Sequence, residues 1–308
     1  MRFARLLIDA GADLERPDHA GWTALTRADA DERDDFVALF LASGADPDAR
    51  FRHGFTKLHR AARSADVELC RNLLRGGADV NARSADGSTA LLIASGLCDG
   101  RASRSLIDVL LHHGADPNVP DNDDWYPLCT AAYEDAAHAS LGDEPVVRTP
   151  ALLEAGADPN RPSFPPLLAS VSQAARSWDI IELLLAAGAD PDKTDADGWN
   201  ILHRAADLRT EAEFIVSCAA AVDDVTLRTS DGDSAIDLAL KPWHWEEPHE
   251  LRETVAALAA VGVDIHSARD ANIAVGAWLE LSDPTSAASQ RHAELQAQYC
   301  STRLRLRR

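Results

Sequence analysis

Cysteine pairs, basic charge and long apolar runs are all scarce in this 308-residue chain, and each shortage excludes something. The five cysteines (Cys70, Cys98, Cys129, Cys218, Cys300) are odd in number, widely spaced and contain no CxxC pair. That pattern is neither a disulfide framework nor a zinc knuckle, and it reads as a reducing compartment. Lys and Arg total 30 against 50 Asp and Glu, a formal charge of -20, so the surface would repel a phosphate backbone and no nucleic-acid partner is expected. The few cations gather at one end. Residues 291–308 hold five arginines and one acid, which leaves 25 basic against 49 acidic residues in 1–290. No apolar stretch approaches the roughly 20 residues of a membrane span. Charges at Arg2, Arg5, Asp9, Asp13 and Glu15 interrupt what would have to be a signal peptide. A cytoplasmic protein with no membrane partner is the simplest expectation. Catalytic signatures are missing too: no GxSxG, P-loop, GxGxxG or HExxH occurs.

What the chain has instead is repetition. Gly-Ala-Asp recurs at Gly11, Gly44, Gly77, Gly114, Gly156 and Gly188, at spacings of 33, 33, 37, 42 and 32 residues, with degenerate copies at Val222 and Gly262. Ten residues after most of these comes a second landmark: Gly21, Gly54, Gly87, Asp124, Gly198 and Gly232. A hydrophobic-small stretch then follows, as in FTKLHRAA at 55–62 and WNILHRAA at 199–206. Several landmarks repeating in phase over residues 1–264 resemble the ankyrin repeat, with its Gly-x-Thr-Pro-Leu-His-x-Ala-Ala signature. The resemblance implies an all-α solenoid of helix–turn–helix pairs joined by hairpin-like turns, with one concave face.

Elementary rules agree with that reading. Residues 178–188 place Ile181, Leu184 and Leu185 at helical spacing and stop at Gly188, where a left-handed residue is wanted. Asp190-Pro191 leaves the helix and Asp197-Gly198 turns the chain. Thr23, Thr56 and Thr89 are placed to cap first helices. One such unit cannot bury its own apolar stripe and must stack on a neighbour. Repeats are expected to start near 21, 54, 87, 125, 165, 198 and 232. A half repeat precedes them, and 265–308 forms a C-terminal helical cap with a frayed basic tail.

Departures are legible as well. The first unit has only its second helix, so Phe3, Leu6 and Leu7 should lie exposed, and a dimer through this face is one reading. Insertions near 97–104, 136–146 and 241–250 should emerge on one edge. Thr149-Pro150 should cap and restart a helix, and Phe164-Pro165-Pro166 should distort its turn. Trp243, His244, Trp245, Glu246, Glu247, His249 and Glu250 match no known metal spacing, and no metal or other cofactor is expected.

The residue after the turn landmark is Trp22, Phe55, Ser88, Trp125, Trp199 and Asp233 in successive repeats. The resemblance makes this a contact position, and Trp22, Phe55, Trp125 and Trp199 are the expected anchors of a protein-binding surface. The alternative is that each ring packs on its own hairpin. Further contact positions by the same resemblance include Arg52, His53, Arg63 and Tyr133. Arg50, Arg52, Arg60 and Arg63 form a basic group facing an acidic partner loop or pairing with nearby acids. His59 and His203 occupy the signature histidine, which ties hairpins together in that family. The chain is thus expected to be a non-enzymatic protein-binding module and a monomer. In a bacterial setting, which its Ala/Arg/Asp-rich composition suggests, it would be an immunity protein or inhibitor of a basic partner. An adapter with a second surface on the insertions, and an enzyme with a site in the groove, are the alternatives.

Overall fold

The computed structural model of the chain describes residues 1–19, 22–31, 33–50, 52–97, 99–141, 148–161, 165–171, 177–208, 210–241, 248–265, 268 and 287–306. Contacts divide the chain into two compact units, Met1–Glu134 with Glu144–Asp158 and Asp135–Asp143 with Pro159–Arg308. Among the described residues there is no strand; an isolated antiparallel bridge joins Arg228 and Ser234.

In the first unit a lone helix α1 (Arg2–Asp9) precedes the pairs α2 (Ala24–Ala30) with α3 (Asp34–Ala42), α4 (Lys57–Arg63) with α5 (Val67–Arg75) and α6 (Ala90–Ser95) with α7 (Gly100–His112). Helix α9 (Arg148–Glu154) follows, and α8 (Pro127–Leu141) is shared, its residues from Asp135 on belonging to the second unit. The second unit holds α10 (Pro166–Ala169) with α11 (Trp178–Ala186), α12 (Ile201–Asp207) with α13 (Ala212–Ala221) and α14 (Ala235–Ala239) with α15 (Pro248–Ala260). A 20-residue helix, α16 (Ala287–Leu306), comes last. The all-α helix-pair architecture read from the sequence is the one the chain adopts.

The signature leucine is the centre of each first helix. Leu25, Leu58, Leu91, Leu128 and Leu202 are at most 2% exposed, and Ile236 takes the same place in α14 at 0%. Burying each such side chain is worth about 1.5–3 kcal/mol. The paired alanines behind it, such as Ala61 and Ala62, are also buried and let neighbouring first helices approach closely. Side-chain caps fix the start of several first helices: Thr26 N–H donates to Thr23 Oγ1 and Leu92 N–H to Thr89 Oγ1.

Turns between pairs interlock. In the first unit Ala85 N–H donates to His53 O (2.8 Å) and Asn122 N–H to Asp86 O (2.9 Å). In the second Ser230 N–H donates to Asp197 O (2.9 Å). Gly87 shows why glycine is needed here: its φ is +82°, and a Cβ would stand 2.8 Å from the Asn122 nitrogen. The first unit also takes one turn without glycine, with Asp124 at φ +60°.

Several expectations are corrected. Of the extra residues, 100–104 are built into α7 and 136–141 into α8, and these do not loop out at the edge. Asp99 caps a 13-residue α7 by accepting from Arg101 N–H and Ala102 N–H, and α8 runs on to Leu141. Alanine-rich segments extend a helix more readily than they leave it. Helix α9 begins at Arg148, so Thr149 lies inside its first turn and is not the cap. Pro150 is tolerated there because first-turn N–H groups have no intrahelical partner. Helix α10 is only four residues long. The basic C-terminal segment is helical through Leu306. Residues 142–147, Phe164, the Trp243–Glu247 cluster, the possible half repeat at 269–284 and the last two arginines lie outside the described residues.

Candidate protein-binding surface

Each hairpin turn is closed by its own first residue. Asp18, Asp121 and Asp195 accept from the backbone N–H of Trp22 (3.0 Å), Trp125 (2.9 Å) and Trp199 (2.9 Å) through Oδ1, and their own N–H donates to the same residue's carbonyl. The side chain of the aromatic residue therefore leaves a rigid turn at a fixed angle. Phe55 follows a 3-10 turn, Arg52–Gly54.

All four rings are half-buried. Trp22 lies under the Arg27 guanidinium, 5.5 Å from the ring centroid, and that arginine also meets Asp18 at 2.9 Å. The carboxylate raises the Arg27 pKa, chiefly through this hydrogen bond. Trp199 is flanked by Arg204 at 4.9 Å and Lys241 at 5.7 Å. These cations in turn pair with Asp195 (3.5 Å) and Asp233 (3.3 Å). Phe55 stands edge-on against His59, 5.5 Å between centroids. The arginine five residues after Trp22 and Trp199 thus recurs as a cover for the ring.

Residues 58–163 match the family model of ankyrin repeats in three copies. The helix pairs, turns and buried signature leucines described above carry the same pattern outside that stretch. Over residues 58–163 the chain is similar to the ankyrin-repeat family. The crystal structure of the human ASB11 ankyrin repeat domain shares the fold, with a TM-score of 0.56 at 24% identity, over 76% of this chain and 98% of that one. No curated protein matches the sequence. Ankyrin repeats generally mediate protein–protein interaction, and the family is typically non-enzymatic.

The ankyrin signature histidines do the tying expected of them. His59 Nδ1 accepts from Thr56 N–H (3.1 Å) and lies 2.8 Å from the Thr56 hydroxyl, so Nε2 carries the proton and donates to Ser88 O (3.0 Å) in the next repeat. His203 repeats this with Asn200 N–H (3.2 Å) and Leu227 O (3.0 Å). Burial, the largest cause, pushes both below the ordinary histidine pKa, so both are neutral at pH 7. Asn200 is a less complete cap than threonine: its buried Nδ2 has no hydrogen-bond partner.

Of the other candidate contact residues, His53 is exposed with φ +63°, Arg63 is exposed at the end of α4, and Tyr133 is half-buried on α8. The Arg52 side chain lies outside the described residues. Two of the four arginines in the basic group are engaged. Arg50 donates to Gly54 O (3.1 Å) and Arg83 O (2.6 Å), and Arg60 reaches Asp29. In the first unit the interlocked turns place Phe55, Ser88 and Trp125 on consecutive hairpins. Trp199 takes the equivalent place in the second unit.

Three features were not read from the sequence. The first is a buried ion triad: Asp29, 2% exposed, pairs with Lys57 and Arg60. Its signal is a double exchange, Lys57 for the signature proline and Asp29 for the second signature alanine. The second is Arg148, 1% exposed, which donates to Ser103 Oγ (3.0 Å) and Leu97 O (2.6 Å). The third is a ladder four residues after each Gly-Ala-Asp glycine. Asn81, Asn118 and Asn160 accept from the backbone N–H of Asp116, Asp158 and Asp190, and donate through Nδ2 to Gly114, Gly156 and Gly188 carbonyls. Asp48 and Asp192 hold the same rung but only accept, from Asp79 and Asp223 N–H. Burial, and after it neighbouring carboxylates, raise the pKa of both.

The remaining chemistry is sparse. Burial raises the thiols of Cys70 and Cys129 to about 12, far from a nucleophile's range. Among the described residues no group of three His, Cys, Asp or Glu is arranged to hold a metal, and no helix is long and apolar enough to cross a membrane.

Proposed function

We propose that this chain is a non-enzymatic, monomeric, cytoplasmic module that binds a protein through the side carrying its hairpin turns. The observation that carries this reading is the recurrence of a half-exposed aromatic ring on a rigid turn, with a cation over it at Trp22 and Trp199. Rings held this way lose little entropy on binding and suit hot spots. Trp22, Phe55 and Trp125 supply the anchors in the first unit, with His53, Arg52, Arg63 and Tyr133 beside them, and Trp199 supplies one in the second. Repeats run to about residue 264, and 265–308 closes the chain. The strongly acidic body favours a basic partner, with an inhibitor or immunity protein as the concrete form.

The test is capture from lysate of the source cell by wild type beside a W22A/W125A/W199A variant, with melting curves confirming that the variant is folded. Loss of one protein with the variant, and an association rate that falls steeply with salt, are the expected results. Equal capture by both, or a salt-insensitive rate, overturns the respective part of the reading.

A further inference from the structure

Second helices of the repeats share one register, so their outward positions can be compared directly. Two of these, four residues apart, are Arg71 and Arg75 on α5, Asp108 and His112 on α7, and Glu182 and Ala186 on α11. All six are exposed or half-exposed. On α13 the same positions are Val216 and Ala220, and on α15 they are Ala256 and Ala260, each at most 4% exposed. The outward face of these two helices is apolar, and α16 is what packs along them.

The polar contacts of α16 run from Arg291 to Arg305. Arg291 pairs with Glu213 (2.8 Å), and Gln298 Nε2 donates to Glu213 O (3.3 Å). Toward the C-terminus Arg303 donates to Val222 O (3.3 Å), and Arg305 pairs with Glu182 (2.5 Å). These ion pairs are substantially solvent-exposed, the kind that salt screens and that adds little individually. From residue 290 to 306 only Leu295 and Thr302 are buried. His292 Nδ1 is desolvated without a hydrogen-bond partner, which works against docking. A long helix with two buried residues from 290 to 306 thus lies over an apolar strip, and its ion pairs are exposed.

We propose that α16 is a charge-latched strap: it releases from α13 and α15 as a unit while the helix pairs beneath stay folded, and ionic strength sets how often. Release uncovers the strip Val216, Ala220, Ala256 and Ala260, so the chain has a covered and an uncovered state. Local opening below the cost of global unfolding is the general property this uses. The proposal is independent of the hairpin-side reading above, since it concerns the other face of the second helices.

Hydrogen exchange of the full-length protein, resolved to peptides, tests it. Residues 287–306 should exchange about tenfold faster at 1 M than at 0.05 M salt, where the Debye length shrinks from above 10 Å to about 3 Å. Peptides from α12 and α14 should hold their low-salt rates. R291E/R305E should show the fast rate already at low salt, and adding E213R/E182R should restore protection. The proposal falls if α16 exchanges equally at both salts, if it opens only together with α12 and α14, or if the reversed charges fail to restore it.

Discussion

The two units depart from a common repeat in opposite directions. In the first, the departures are polar and point inward: Asp29, Lys57 and Arg60 form a compensated triad, and Arg148 is buried on Ser103 and Leu97. In the second, they are apolar and point outward, at Val216, Ala220, Ala256 and Ala260, under α16. The lesson is that a repeat tolerates a charge in its core if the counter-charge arrives with it. It tolerates an apolar outer face if another element covers it. Helix α1 shows the uncovered case, with Phe3, Leu6 and Leu7 exposed at 74%, 60% and 48%.

The largest expected effect breaks the inward departure. D29A leaves Lys57 buried without its carboxylate and should cost about 3–5 kcal/mol in chemical denaturation. D29A/K57A should recover much of that, since Arg60, half-exposed, can turn to water. Additive losses would show that the triad is not coupled. Next comes the outward departure. V216D should cost about 2 kcal/mol and free α16, while R71D at the same register on α5 should stay within about 0.5 kcal/mol.

A smaller pair compares the ladder rungs. D48N supplies the missing donor toward Gly77 and removes a carboxylate beside Asp46 and Asp79, and should gain about 1 kcal/mol at pH 7. D192N is the matching change in the second unit and should gain in the same direction. Both carboxylates have raised pKa values in the folded chain. Their favourable contribution is full below the ordinary aspartate value and is lost as pH rises through the folded value, so the advantage of either Asn variant should vanish below about pH 4. The histidines act on both units alike. His59 and His203 have lowered pKa values, so stability falls as pH drops below about 6.5, where the unfolded chain takes up protons first. The smallest effect is expected at α1: L6E/L7E should leave the melting temperature unchanged, because neither side chain is buried.

Much of this was legible in the residues. The phased glycines, the signature leucines and the capping threonines fixed the helix pairs, because each acts through its own backbone or an adjacent turn. The tying role of His59 and His203 followed from their place in the signature. The aromatic positions were legible, but their covers were not. Whether Trp22 stands bare or under Arg27 depends on side chains meeting across a turn, which spacing alone does not resolve.

The sequence by itself determined the repeat, its period and its core, since local propensity and a 33-residue rhythm admit one stacking. The tertiary structure decided where the exceptions go. Asp29 finds Lys57 only when two helices stack, and Val216 is buried only because a helix 70 residues later in the chain lies over it. Pairings between distant segments leave no periodic trace, and that is why they had to be seen in three dimensions.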